Sequence, residues 1–411
     1  MEQIVEQNEK ILQFNKEVLS NIEITQDKSI DFENKYAESN TKDKEEKIPE
    51  RSLEAPGSER SLTGQQIGLT ESLKTNTQVI KHMLKGSKLK ICSYTIGTEA
   101  QTEMNLFYIE NLVDKEILHQ VKATISQFKV KYMLHPSVLI EELQAKGTGL
   151  SPTVQITERF DIIGNDLLQG KMVIIADNTP IAIIAPIVFW GLFQTQDEYY
   201  SSYGRLSNRI MRLIGFLLTM YLPAFYIATQ RFHMEDIKKL PIGKHKTELI
   251  NKFLYTGEIL NGFWEMIFIL FVLRIIYDTS LHIYKSLNLM ITLLAVMIVG
   301  QYAVSTKIIS SGGLIVGGFA QLCVYLVLVK GLLPMAATMR WVLIPIGWFF
   351  GYTGLIAAFL VFFIWGASLK PFGIHYFAPL IPFRPHEWKD TFWRGKLKQI
   401  VNSEHKYRMK K

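Results

Sequence analysis

Four stretches of this 411-residue chain carry no charged side chain: Leu213–Gln230, Ser286–Thr306, Ile308–Val329 and Trp341–Leu369. A helix rises 1.5 Å per residue, so about 20 apolar residues cross the roughly 30 Å of hydrocarbon in a bilayer. Each stretch is near or above that length. This feature predicts a polytopic helical membrane domain over residues 205–370 with four clear spans. A fifth, Ile259–Ile276, is doubtful because it contains Glu265 and Arg274. Each charge costs on the order of 3 kcal/mol at bilayer centre. The segment is read as a span, a re-entrant piece or an interfacial helix.

Basic residues do not choose between four spans and five. Arg205, Arg209 and Arg212 place the start of the first span inside, Lys238, Lys239, Lys244 and Lys246 ask the same of the next loop, and Arg394, Lys396, Lys398, Lys406 and Arg408 of the tail. Arg209 and Arg212 stand where they can snorkel, and Pro223 is expected to kink the first span. Gly313–Gly317 and Gly347–Gly351 are small-residue pairs one helical turn apart, suited to close helix contact. Gln301 and Gln321 are polar at membrane depth. An interhelical hydrogen bond is the first reading of each, a pore-lining role the second. Residues 371–411 read as an interfacial, basic tail, with Trp388 and Trp393 suited to the head-group level.

The first half of the chain has a different character. Residues 1–65 hold 15 acidic and 9 basic side chains, the remainder 23 and 36. The acidic segment is expected to be mostly disordered, with Ile4, Ile11, Leu12, Phe14, Val18 and Leu19 able to line one face of a short helix. Its first ten residues, MEQIVEQNEK, lack the apolar core of a signal peptide. Residues 66–204 read as a small soluble α/β domain: a helix over Glu71–Lys85, strands over Leu89–Ile96 and Glu103–Glu110, an amphipathic helix over Asp114–Phe128 and a short helix over Val138–Leu143. Met172–Ala176 and Ile181–Ala185, separated by Asp177-Asn178-Thr179-Pro180, predict a hairpin within 171–186. Both arms are apolar on both faces, so the pair belongs in the sheet interior. The fold class expected is therefore a cytoplasmic α/β domain followed by an α-helical membrane domain.

Several functions find no residues to carry them. Two cysteines, Cys92 and Cys323, make neither a disulfide framework nor a zinc site. No P-loop, metal cluster or nucleophile motif occurs. No cofactor and no enzyme activity are expected. The basic excess flanks apolar spans, so anionic lipid is its expected partner and nucleic acid is not. Glu158, Arg159 and Asp161 are the most chemical-looking soluble residues, and ion pairing is preferred there over a catalytic carboxylate. A stand-alone secondary transporter would carry inverted internal repeats, and none is visible.

One resemblance cuts across both halves. Thr157-Glu158-Arg159 with Asp161, then Leu167-Leu168-Gln169-Gly170, Val173–Asp177, Pro186, Phe193-Gln194, Tyr199-Tyr200, the Arg209/Arg212 pair and Leu222-Pro223-Ala224-Phe225-Tyr226 follow one another in order. Leu89-Lys90, Tyr94–Gly97 and Tyr108–Glu110 precede them; Gly300-Gln301, Phe372-Gly373, Tyr376, Ala378-Pro379, Pro382 and Trp388-Lys389-Asp390 follow. Together they resemble the A subunit of spore germination receptors, the GerA family, with the first half of its soluble domain missing, Phe160 in place of a proline, and Tyr277-Asp278-Thr279 in place of the Arg-Glu-Ala step. The resemblance implies a nutrient-sensing receptor in the inner spore membrane of an endospore former. It implies assembly with a B-type transporter-like subunit and a C-type lipoprotein, and homo-oligomers that form or gate an ion-release path. Tyr199, Tyr200, Arg209, Arg212 and Pro223 are the coupling residues on this reading, and Glu265, Arg274 and Gln301 the pore or gate candidates. A non-conducting regulatory paralogue is the rival.

Overall fold

The computed structural model describes residues 67–145, 151–193, 202–232, 260–282, 297, 300–326 and 331–383. The acidic segment, Tyr199, Tyr200, the 238–246 loop, most of Ser286–Thr306 and the basic tail lie outside the described residues.

The first half is a three-layer α/β/α sandwich. Helix α1 (Leu73–Met83) leads to strands β1 (Leu89–Ile96) and β2 (Thr102–Ile109), helices α2 (Lys115–Gln127) and α3 (Ser137–Ala145), the short strand β3 (Gln155–Thr157), helix α4 (Phe160–Leu168), and strands β4 (Met172–Ala176) and β5 (Ala182–Ala185). The five strands lie in the order β1-β2-β4-β5-β3, and every neighbouring pair is antiparallel. The expected hairpin is there, one residue shorter on its second arm. Asn178 turns it with φ 61°, a conformation asparagine tolerates.

Two-residue periodicity explains why both arms are apolar throughout. Met172, Ile174, Ile183 and Ala185 face one core with Ile117, Val121, Leu139 and Leu143 of α2 and α3. Val173, Ile175, Ala182 and Ile184 face the other with Val79 and Ile80 of α1 and Phe160 and Ile163 of α4. Buried Val, Leu and Ile side chains contribute about 1.5–3 kcal/mol each, so the central strands anchor the domain. Asp114 caps α2 through the amides of Glu116 and Ile117.

The second half is helical: α5 (Ser202–Phe232), α6 (Gly262–His282), α7 (Ser311–Leu326) and α8 (Leu332–Ser368). Helix α5 is the hub, packing along α8 and α7 and touching α6. Two segments are long and apolar enough to cross a membrane, Ser207–Phe232 and Leu332–Ser368. Four spans were expected. Ser286–Thr306 is largely outside the described residues, and the described part of Ile308–Val329 holds the 16-residue α7, about 24 Å long at 1.5 Å per residue. Helix α5 runs through Pro223 as one element. The 29-residue stretch Trp341–Leu369 lies in a helix that begins nine residues earlier and breaks at Gly351, φ 60°, a conformation open to glycine.

Both small-residue pairs are used inside the chain. A Cβ on Gly347 would stand 2.6 Å from the Ala224 carbonyl oxygen, and one on Gly317 2.6 Å from Ile269 Cγ2. The first lets α8 meet α5 backbone to backbone, and the second seats α6 on α7.

Candidate functional site

Glu265 lies in the first turn of α6 and is 1% exposed. Its neighbours are the apolar faces of α5, α6, α7 and α8, where Met266, Leu270, Tyr226, Ile227, Val316 and Ile344 form one cluster. A carboxylate in such a setting needs donors. It finds them at the start of α7. Glu265 Oε1 accepts the Ser310 backbone N–H at 2.7 Å and the Ser310 hydroxyl at 2.5 Å. Ser310 Oγ in turn accepts the Gly313 N–H at 2.8 Å, closing the helix cap. The positive end of the α7 dipole favours a negative group at this point. Gly313 leaves no room for a Cβ beside the carboxylate.

The network continues into α5. Tyr226 Oη lies 3.1 Å from Ser310 Oγ, and Gln230 Nε2 donates to Tyr226 Oη at 3.2 Å. One residue from each of three helices therefore meets at Ser310: Tyr226 of α5, Glu265 of α6 and the cap of α7. Such an arrangement is a latch. It holds while the carboxylate accepts, and any sliding of α5 or α6 breaks several bonds together.

The other gate candidates sit elsewhere. Arg274, two and a half turns further along α6, is about half exposed and pairs with Asp278 at 2.9 Å. Gln301, on the helical stretch 300–305, is exposed and makes no side-chain hydrogen bond among the described residues. The structure does not bring Glu265, Arg274 and Gln301 into one site. Gln321 makes the interhelical bond expected of it, accepting from Arg340 Nη1 of α8 at 3.3 Å.

The α/β half is joined to this layer by an aromatic hinge. Phe189, in the 3-10 turn Phe189–Phe193, stands 5.2–5.9 Å, ring to ring, from Trp190, Phe193, Phe216, Tyr376 and Phe377. The Phe189 amide donates to the Tyr376 carbonyl at 2.9 Å, and Trp190 Nε1 to that of Phe377 at 3.3 Å. Phe372 and Ile374, just after α8, enter the core beneath α2. Arg209 and Arg212 are both buried at the start of α5, and Arg212 Nη1 donates to the Phe193 carbonyl at 3.0 Å. That arginine ties the first long helix to the turn leaving the sheet. Tyr199 and Tyr200 lie outside the described residues.

Thr157 ends β3, Glu158 and Arg159 lead into α4, and Asp161 lies in its first turn. Arg159 Nε and Nη2 donate to the two Asp161 oxygens at 3.0 and 2.5 Å. Asp161 Oδ1 also accepts the Ile162 amide, Thr157 Oγ1 accepts the Arg159 amide, and the Glu158 carbonyl accepts from Leu69. These bonds hold a strand end to a helix start.

Sequence reading missed Tyr226, Gln230, Ser310 and Arg340 as members of polar contacts. A signal existed for Ser310: the Ser310-Ser311 pair just ahead of a glycine-rich apolar run fits a helix start with a serine cap.

A family model described as Bacillus/Clostridium GerA spore germination protein matches residues 15–405. Spore germination protein KA of Bacillus subtilis (strain 168) is 27% identical over 371 residues, 88% of this chain and 67% of its own length. The uncharacterized membrane protein YfkQ of the same organism is 28% identical over 347 residues, 84% of this chain and 66% of its own. The chain thus spans about two thirds of the length of these curated relatives. Among solved structures, the N-terminal domain of the A subunit of the Bacillus megaterium spore germinant receptor GerK3 is 28% identical, with 30% of this chain and 97% of that one covered and a TM-score of 0.24.

Proposed function

We propose that this chain, which belongs to the Bacillus/Clostridium GerA family of spore germination proteins, is a membrane-embedded A-type subunit of a nutrient-sensing germination receptor. On this reading it is not an enzyme. It sits in the inner spore membrane with four or five spans, oligomerises, and forms or gates an ion-release path beside a B-type transporter-like subunit and a C-type lipoprotein. The observation that carries the gating part is Glu265 held on the capped start of α7. An ionisable residue inside an apolar helical layer is retained for a task.

The coupling runs from sheet to latch. Displacement of the α/β domain moves the Phe189–Tyr376 hinge and, through Arg212, the start of α5. Helix α5 carries Tyr226 at its other half, against Ser310. Drawing Tyr226 away strips a donor-acceptor partner from the latch and frees α6 to move over Gly313 and Gly317. Ligand on the partner subunits biases this equilibrium only by binding one arrangement more tightly.

Potassium efflux from vesicles tests it, with the full chain reconstituted alone and with its B- and C-type partners. Glu265→Gln and Ser310→Ala are expected to leak without nutrient, the parent to release potassium only with it. Equal, nutrient-dependent efflux from all three would remove the latch from the mechanism. Tyr277-Asp278-Thr279, standing in place of the family's Arg-Glu-Ala step, favours a second reading, a non-conducting regulatory paralogue. That reading predicts an intact assembly and no efflux from any of them.

A further inference from the structure

We infer that Arg340 is the head-group end of a binding site for an anionic phospholipid, set in the groove between α6 and α7. The inference rests on the membrane-embedded reading of the helical half and is independent of the receptor role. Arg340 is 2% exposed. Among the described residues its side chain makes one hydrogen bond, a long one to a neutral amide, and its Nε has no partner. Among the described residues, the charge that acts on it is a second guanidinium, Arg274, which repels it. Arg274 is itself matched with Asp278, so that pair brings Arg340 no net negative charge.

A guanidinium offers five donors in a fixed fork. Burying it with a single bond to a neutral amide is unfavourable, so the position suits a negative group. A phosphate oxyanion fits the fork and takes two parallel bonds. The surroundings suit a lipid better than a free ion. Phe271 and Ile275, within a turn of Arg274 on α6, and Leu322 and Tyr325, within about a turn of Gln321 on α7, are 48–63% exposed, apolar surface that acyl chains can cover. The depth also agrees. Gly331, just before α8, packs on Pro152 of the α/β half, and Arg340 follows nine residues later, about 13.5 Å along the helix. On the membrane-embedded reading, that places Arg340 toward the end of α8 that faces the α/β half. Basic pockets between transmembrane helices on the cytoplasmic side bind lipid head groups, and the α/β half is expected on that side.

The experiment uses the purified full chain, stripped of lipid in a neutral detergent, with phosphatidylglycerol, phosphatidylcholine or inorganic phosphate added. Thermal midpoint and retained lipid, counted by native mass spectrometry, are read together. Phosphatidylglycerol is expected to raise the midpoint by about 5 °C at saturating concentration and to stay bound. Phosphatidylcholine and phosphate are expected to do neither. Arg340→Gln should abolish the response. Arg274→Gln, at a half-exposed position that the fold tolerates, should weaken it several-fold and keeps the test alive if the first variant does not fold. An undiminished response in both variants, an equal response to phosphatidylcholine, or one reproduced by inorganic phosphate each overturns the lipid site. Retention of the chain in vesicles after alkaline extraction checks the membrane reading separately.

Discussion

The α/β half and the helical half both bury charge, but they neutralise it differently. In the α/β half Lys171 lies 2.5 Å from Asp166, and Arg159 forks onto Asp161. Each cation has a carboxylate a few residues away in sequence, and the pair is finished within one domain. In the helical half Glu265 is met by a serine hydroxyl and an amide from another helix, and Arg340 by a glutamine from another helix. The local pairs serve to fix a turn and a helix start. The others bind helices to each other, so they report on how the helices are arranged. Charge that is satisfied across elements is charge that movement can release.

Breaking a local pair should therefore produce the largest stability loss and the smallest change in helix arrangement. Lys171→Met strands a fully buried carboxylate, a loss of about 3–5 kcal/mol in the α/β half. Burial already pushes the Asp166 carboxyl above the ordinary carboxylate range, against the pull of Lys171. Removing Lys171 removes that pull. A folded-state pKa above the unfolded one means that the folded form holds its proton more tightly. The stability this contributes is complete below the ordinary aspartate pKa and is lost as pH rises through the raised value. The variant should thus be closest to the parent in acid and furthest from it at neutral pH. Hydrogen exchange of the β4 and β5 amides against pH measures this, and a deficit independent of pH would contradict it.

Breaking a cross-helix contact should have the opposite profile. Glu265→Gln keeps the shape and removes the charge, with an expected loss of about 1.5–3 kcal/mol, the range for hydrogen bonds to a charged group. Exchange should rise at the start of α7 and leave β4 and β5 unchanged. Protection unchanged at Ser311–Gly313 would mean that the latch is held by packing instead. Gly317→Ala and Gly347→Ala come next, at about 1–3 kcal/mol each for overpacking. Gly347→Ala should cost more, because its added carbon meets the Ala224 carbonyl oxygen, which is fixed in the α5 backbone, whereas that of Gly317 meets a side-chain methyl of Ile269. Denaturation in detergent ranks the two, and the reverse order would show that the α5–α8 contact yields more easily than the α6–α7 contact.

The same contrast separates what sequence revealed from what it hid. Strands β1 and β2 and the 172–185 hairpin were legible because their signals are local, alternation and an asparagine turn, while the three-residue β3 is too short to show a period. The Arg159–Asp161 pair was legible for that reason too, its partners being two residues apart. The latch was not, since Glu265 and Ser310 are 45 residues apart and nothing in either neighbourhood names the other. Glu265 was visible only as a cost to insertion, and its donors are what lower that cost. Arg340 was read as the boundary of a charge-free run, while α8 starts at Leu332. Pro334, suited to a first helical turn, marks that earlier start. The break at Gly351 was hidden because a run without charge shows length and says nothing of continuity.

The smallest effect expected sharpens the comparison from its exposed side. Arg274 and Asp278 are also a local pair, four residues apart on α6, but 49% and 45% exposed. Solvent or head groups screen such a pair, and i,i+4 contacts of this kind contribute about 0.3–0.5 kcal/mol. Asp278→Asn should leave the thermal midpoint of the lipid-free protein within about 1–2 °C of the parent. It should nonetheless strengthen phosphatidylglycerol binding, because Arg274 then faces the groove without its carboxylate. A large stability loss would show that Asp278 reaches Arg340 and belongs with the cross-helix charges. Unchanged stability with tighter lipid binding would place Arg274 beside Arg340 in one basic site, and would show that even a local pair in this half acts through a neighbouring helix.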